Sequence, residues 1–293
     1  MDANLLAQVR SFNRAVTRRI GVLDDDYLGR GRPLSEARLL FETGPAGAEV
    51  RDLRARLNLD SGYMSRLLRT LEKQGLLKVA PSVHDARARR ATLTAKGLKE
   101  VAAYDALSDD LALSLVEPLS SSQRDKLASA MAQVERLLQA SAVTLLLELA
   151  SGKDAQACVA EYLKELSRRF DTGYDPDNAA PAGAEQFDPP KGWFIIARLD
   201  GRAVGCGGLK QPEPGMAEIK RLWIAPEARG LGLGRRILQK LEDIARDNGM
   251  TRVRLDTNRA LHEAQGLYLA AGYQEVERFN DDPYAQQFFA KPL

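Results

Sequence analysis

The stretch RGLGLGRRIL at 229–238 places three glycines in five positions, after a run that reads as a strand and before one that reads as a helix. A strand-to-helix loop with glycine at alternate positions leaves several main-chain N–H groups uncovered and aimed toward one point. Helix N-terminal donors and the helix dipole favour an anion there. Glycine is needed because a Cβ blocks close approach and because some of these positions require positive φ. The expected ligand is a phosphate or pyrophosphate, and a tight structural turn is the competing reading. The loop is not a Walker A sequence, which needs Gly-x4-Gly-Lys-Ser/Thr. It does not fit a dinucleotide fingerprint either: after Gly230 and Gly232 the third glycine belongs at 235, which is Arg235.

The loop sits in the second half of a 293-residue chain, long enough for two ordinary domains. No apolar run is long enough to span a bilayer, and the arginine-studded N-terminus has no apolar signal core. Two widely spaced cysteines, Cys158 and Cys206, imply a reducing compartment without a disulfide framework. With only His84 and His262 besides, no metal site is expected. These features point to a cytoplasmic protein with no membrane partner. The net charge of +2 hides a concentration of 12 Lys+Arg against 4 Asp+Glu over 51–99. Such a patch is the footprint of a nucleic-acid face, although a charge run alone also describes a solvated helical surface.

In that basic half, Leu5, Val9, Phe12, Val16, Ile20 and Leu23 recur at helical spacing. A second helix opens at Pro33 and Ser35 and closes near Gly44. A short helix carries Val50, Leu53 and Leu57, and another begins near Ser61 with Asp60 as N-cap and Gly75 as its stop. Its buried stripe is Met64, Leu67, Leu68 and Leu71; Ser61, Tyr63, Ser65, Arg66 and Arg69 face outward. Two short helices with a tight turn, the second basic, form a helix-turn-helix pattern suited to the major groove. LLKVA and RATLT then read as a β-hairpin wing, with Arg87 and Arg89 near a tip suited to the minor groove and Asp85 beside them. This order, with LEKQGLL, the wing D-x-R at Asp85 and Arg87, and LT-x-x-G at Leu93, Thr94 and Gly97, resembles the MarR family of winged-helix regulators over residues 1–140. Val83 and His84 stand where that family has its usual proline and second acid. The resemblance implies a mainly-α winged helix-turn-helix domain, a homodimer built from the first and last helices, and a palindromic double-stranded DNA operator. The apolar faces of 5–23 and of Leu127, Met131, Val134, Leu137 and Leu138 suit such a dimer, and equally suit ordinary core stripes.

Beyond QASA at 139–142 the pattern changes. Strands are expected near 143–150, 192–199, 203–209, 217–224, 252–256, 273–278 and 286–290, with helices over 154–169, 233–247 and 260–271. EIKRLWIAPEARGLGLGRRIL resembles the central motif of the GNAT acetyltransferases, Arg/Gln-x-x-Gly-x-Gly/Ala, at Arg229, Gly232 and Gly234. NRALHEAQGLYLAAGYQEV resembles the next family motif at Asn258, Ala264, Leu267, Tyr268, Gly272 and Tyr273. The resemblance covers 143–293 and implies an α/β (α+β) fold with a mixed, mostly antiparallel sheet, with acetyl-CoA as cosubstrate and no metal. It puts Arg229, Gly230, Leu231, Gly232, Leu233, Gly234 and Arg235 around the pyrophosphate, assigns Leu222, Trp223 and Ile224 to acetyl-CoA binding as the strand that supplies a backbone donor to the developing oxyanion, and sets Asn258 on the pantetheine. Glu218 is then the candidate base, or else a strand carboxylate facing solvent or paired with Lys220. Tyr268 is the candidate acid for the leaving thiolate, or else a packing residue.

The combined expectation is a bifunctional transcriptional regulator and N-acetyltransferase, acting on a small-molecule or peptide amine through a ternary complex. One alternative is a regulator whose GNAT domain only senses acetyl-CoA or an amine. Another is an acetyltransferase whose N-terminal domain serves only as a dimer scaffold. The acidic stretch DTGYDPDNAAPAGAEQFDPP at 171–190 is placed as a variable lid, its acids attracting a cationic amine or simply keeping the loop soluble.

Overall fold

The computed structural model describes residues 2–293 except 23, 83–87, 172, 177 and 179–182. The chain forms two compact units, Met1–Ala130 and Met131–Leu293.

In the first unit, α1 (Ala3–Arg19) is capped by Asp2, whose side chain accepts from the Asn4 N–H at 2.9 Å. It ends short of the expected 23 because Gly21 turns the chain at φ +67°. No residue of α1 is buried. Helices α2 (Leu34–Thr43), α3 (Val50–Arg56) and α4 (Ser61–Lys73) pack Leu39, Leu40, Leu53, Met64, Leu68 and Leu71 into one core. Asp60 caps α4 as expected, accepting from the Tyr63 N–H at 2.8 Å, an interaction worth about 1 kcal/mol. The wing is β2 (Leu77–Pro81) against β3 (Arg89–Leu93), and β1 (Ala48–Glu49) adds a third strand on the far edge of β3. Helix α5 (Ala95–Val116) follows, and Gly97 shows why the wing must be followed by glycine: a Cβ there would lie 1.9 Å from the Leu76 carbonyl oxygen. Helix α6 (Ser121–Ala142) contains the division between the units.

The second unit is a seven-stranded sheet in the order β4-β5-β6-β7-β8-β10-β9. Its strands are β4 (Thr144–Glu148), β5 (Gly192–Leu199), β6 (Arg202–Glu213), β7 (Met216–Ile224), β8 (Arg252–Thr257), β9 (Gln274–Glu275) and β10 (Gln287–Pro292). All neighbours are antiparallel except β7 and β8. Helices α7 (Lys153–Arg169), α8 (Leu233–Asp247) and α9 (His262–Ala270) complete the unit. The core takes Leu233, Ile237, Leu238, Leu241 and Ile244 from α8 and Ala217, Ile219, Val253 and Leu255 from the central strands. Each fully buried aliphatic side chain contributes roughly 1.5–3 kcal/mol of transfer free energy. Strand expectations hold through the centre; near the C-terminus the expected 273–278 shrinks to the two residues of β9.

Two irregularities position the site. The parallel β7–β8 pairing stops at Ile219 and Leu255, although both strands continue, so the strands part beyond that point. On the other edge of β7, Gly208 faces Lys220 and Cys206 faces Trp223, so Arg221 and Leu222 together oppose Gly207 alone. This bulge bends β7 and re-aims its side chains. Arg221 takes φ +57°, a left-handed conformation that non-glycine residues seldom adopt.

Candidate active site

Two cavities open where β7 and β8 separate. They share Tyr162, Leu166, Leu222, Leu261 and Ala264. The first, about 530 Å³, runs along the end of β7 and the glycine loop. The second, about 480 Å³, lies over β7 and β8 and is walled by Phe170, Tyr174 and Tyr284.

The glycine loop builds the first cavity from main chain. Gly232 is the N-cap of α8 at φ +72°, and Gly230 has φ +80°. A Cβ at either would meet no atom within 4 Å, so the loop faces open space. Main-chain N–H groups from Gly230 to Arg235 donate none of the hydrogen bonds within the described chain. The first turn of a helix has no internal acceptors for its amides, so these donors are available to an anion reinforced by the helix dipole. The residues present therefore fit a diphosphate.

Of the residues expected at the coenzyme, Leu222, Trp223, Ile224, Arg229, Gly230, Gly232, Leu233, Gly234 and Arg235 line this groove. Two do not. The Leu231 side chain is 8% exposed and packs in the core, which leaves only its backbone for a ligand. Asn258 lines the other cavity, and its side chain is engaged with its own chain: Nδ2 donates to the Tyr284 carbonyl and Oδ1 accepts from the Ala260 N–H, both at 2.9 Å. Arg229 is also tied down. Its guanidinium donates to the Ile224 carbonyl at 3.1 Å and pairs with Glu165 at 2.5 Å. Glu165, buried on α7, also accepts from the Trp223 indole N–H at 2.9 Å. It thus joins α7 to the end of β7, a link between residues 58 apart in the chain and absent from either motif.

In the second cavity, Glu218 is 4% exposed. It is ion-paired with Lys210 at 3.2 Å, Lys220 at 3.6 Å and Arg254 at 2.9 Å. Burial acts to raise its pKa, but the charges of Lys220 and Lys210 and the Arg254 hydrogen bond outweigh it and hold the carboxyl below its usual range. Lys220 also pairs with Asp256, which accepts from Asn280 Nδ2 at 2.6 Å. The pairing reading of Glu218 thus describes its surroundings, with two further cations beyond Lys220. Tyr268 lines the same cavity, and burial pushes its pKa up, so its hydroxyl stays protonated near neutrality. Among the described residues no group of three or more His, Cys, Asp or Glu side chains is placed to hold a metal ion.

In the first unit, Ser61, Arg66 and Arg69 are exposed on α4, while Tyr63 and Ser65 are half-buried. Arg66 lies over the Tyr63 ring at 5.5 Å. The Ser65 hydroxyl donates to the Ser61 carbonyl at 2.8 Å, and Arg69 Nε donates to the Ser65 carbonyl at 3.2 Å. Arg89 is exposed at the start of β3. Arg87 and Asp85, together with Val83 and His84, lie outside the described residues. Among the described residues no helix is long and apolar enough to cross a membrane.

Comparison with known proteins finds two families along the chain. The model of the acetyltransferase (GNAT) family matches residues 156–273, and that of the MarR family matches 30–88. An IAA acetyltransferase of Azospirillum brasilense is 32% identical over 143 residues, 47% of this chain and 92% of that protein. N-alpha-acetyltransferase RimI of Mycobacterium tuberculosis is 32% identical over 127 residues, 42% of this chain and 74% of that protein. A solved GNAT-family acetyltransferase from Staphylococcus aureus is 18% identical with a TM-score of 0.45, covering 52% of this chain and 99% of its own. The chain belongs to the GNAT acetyltransferase family, and it joins that acyltransferase domain to a MarR-family domain in one polypeptide.

Proposed function

We propose that the chain is a DNA-binding regulator and an acetyl-CoA-dependent N-acetyltransferase, with functional domains 1–140 and 143–293, transferring acetyl directly to an amine through a ternary complex. One observation carries the enzymatic half: a groove ending in uncovered amides meets, at Leu222, a second cavity that holds Tyr268 and Glu218. Bound acetyl-CoA supplies an activated thioester. The amides of 230–235 and the first turn of α8 hold its diphosphate, and Leu222–Ile224 line its acyl-bearing arm. The acceptor nitrogen bonds to the acyl carbon as the carbon–sulfur bond breaks, and the departing sulfur takes the Tyr268 hydroxyl proton. Removal of the acceptor's own proton falls to Glu218. The cations around Glu218 keep it ionised and so able to accept that proton, as a weaker base than an ordinary carboxylate. Calorimetry of the full-length protein with coenzyme A tests the groove, and acetyl-CoA-dependent thiol release across an amine panel tests turnover. Binding without turnover of any acceptor supports a sensor; absence of binding removes the reading altogether.

The regulatory half rests on the basic outward face of α4 and on α1. Leu5, Leu6, Val9, Phe12 and Val16 of α1 are all exposed, as are Met131, Leu137 and Leu138 of α6. Apolar faces of this size are expected to be covered in a homodimer. A palindromic duplex titrated at several salt concentrations tests the DNA reading. Arg66→Ala is expected to weaken binding and to reduce the salt slope by about 1; an unchanged slope removes α4 from the groove.

A further inference from the structure

In a site that joins two substrates, the reacting atoms meet where the two binding regions meet. The wall shared by the two cavities therefore decides which side chains reach them. Five residues line both cavities: Tyr162, Leu166, Leu222, Leu261 and Ala264. Four are apolar, and Tyr162 alone brings a polar side-chain group to that wall. Tyr268 lines the second cavity and not the groove.

Tyr162 stands half-buried on α7. Three and four residues on, Glu165 and Leu166 share its face of the helix. Glu165 accepts from the Trp223 indole and from the Arg229 guanidinium, which ties that face of α7 to the end of β7. The phenol is thus carried by a braced helix, as a precisely aimed group must be. Its hydroxyl nevertheless makes no hydrogen bond among the described residues. An enclosed tyrosine hydroxyl ordinarily finds a partner, so one left over on a cavity wall is free to serve a ligand. Burial pushes its pKa well up, with Tyr268, Tyr174 and Asp256 acting the same way, so the proton stays on oxygen near neutrality. A group that keeps its proton can donate to an oxygen that gains negative charge and loses it again within one turnover.

We propose that Tyr162 is a further catalytic residue, whose hydroxyl donates to the acyl carbonyl oxygen of bound acetyl-CoA and to the negative charge that grows there as the acceptor nitrogen attacks. No covalent bond at Tyr162 forms or breaks. It complements the backbone donor expected from Leu222–Ile224, while Tyr268 supplies the proton for the departing sulfur. The proposal rests on reading the groove as the coenzyme site.

The test uses full-length protein and acetyl-CoA labelled with carbon-13 at the carbonyl. Infrared difference spectra isolate the labelled stretch, which a hydrogen bond lowers. In wild type the bound stretch is expected below its value in free solution. In Tyr162→Phe it should move back toward that value, and in Tyr268→Phe it should stay as in wild type. By calorimetry Tyr162→Phe is expected to lose about fivefold in affinity for acetyl-CoA and nothing for coenzyme A, one neutral hydrogen bond's worth. With any acceptor that is turned over, kcat should fall on the order of 100-fold with the acceptor KM unmoved. The Phe variant gives up no bond of the folded chain, so its Tm should equal that of wild type. Tyr162→Leu, which gives up the ring as well, is a second route to the same change in the carbonyl stretch. The proposal is overturned if the stretch in both variants stays where wild type has it, if acetyl-CoA and coenzyme A lose affinity alike, or if an acceptor is turned over at the wild-type rate. Each of these leaves the groove reading standing; failure of wild type to bind coenzyme A overturns both.

Discussion

The two cavities meet at Leu222 and share one wall, yet they recognise by different means. The groove along α8 presents main chain: uncovered amides at 230–235, two glycines at positive φ, and a helix N-terminus. The second cavity presents side chains drawn from α7, β6, β7, β8 and the segment before β10, with cations packed closely enough around Glu218 to hold its carboxyl below the usual range. A backbone cradle binds a ligand common to a family because its donors do not depend on side-chain identity. A side-chain cavity is free to differ from one protein to the next. Changes in the groove should therefore alter coenzyme affinity alone, and changes in the cavity should alter acceptor choice, rate or local stability.

The sharpest way to break that contrast is Gly232→Asp. It places a Cβ where φ is +72° and a negative charge at the start of α8. Coenzyme affinity measured by calorimetry is expected to fall on the order of 1000-fold, from lost charge-assisted hydrogen bonds and dipole repulsion. A variant that binds normally would dismiss the amide cradle.

Next in size is Glu218→Gln, which leaves Lys210, Lys220 and Arg254 without their shared carboxylate. A loss of about 3 kcal/mol in denaturant unfolding at neutral pH is expected for a broken buried pair. The pH dependence follows from the direction of the shift. Folded Glu218 lies below its ordinary value of 4.5, so its contribution is present above that value and fades as pH falls through the folded pKa. The gap between wild type and variant should be constant from pH 7 to 5 and narrow only under stronger acid.

Tyr268→Phe keeps the packing against Tyr273 and Phe289 while removing the proton. A fall of about 100-fold in kcat with KM little changed is expected for loss of a general acid. A rate within twofold of wild type would assign the residue to packing. The smallest effect should come from Glu165→Gln, which loosens Arg229 and the Trp223 indole together. Roughly a fivefold rise in KM for acetyl-CoA is expected, about 1 kcal/mol for one charged hydrogen bond, with acceptor KM unmoved. A change in the acceptor KM instead would show that this carboxylate serves both cavities.

How much of this was legible in the chain depends on how each feature is encoded. Gly232 is readable because glycine spacing, a preceding strand and a following amphipathic run are all local. The Asp60 cap and the four-residue stripe of α4 are readable for the same reason. Leu231, expected among the loop residues around the phosphates, turns its side chain into the core and leaves its backbone to the loop; loop membership does not tell which way one residue of a tight turn faces. Asn258 was expected on the pantetheine, but it is drawn to the Tyr284 carbonyl, 26 residues away. No local pattern announced Arg221, whose placement depends on a bulge created by register with β6.

The two modules, their element order, the outward face of α4 and the glycine turn into α8 were readable from the sequence, because periodicity, caps and glycine conformations act within a few residues. Tertiary contacts, in turn, set the parting of β7 from β8, the charge network around Glu218, the Glu165–Arg229 link and the place of Arg221 in the lining of the second cavity. Those depend on strand register and on contacts between residues tens of positions apart, and it is folding that sets the burial and neighbouring charge that give each group its chemistry.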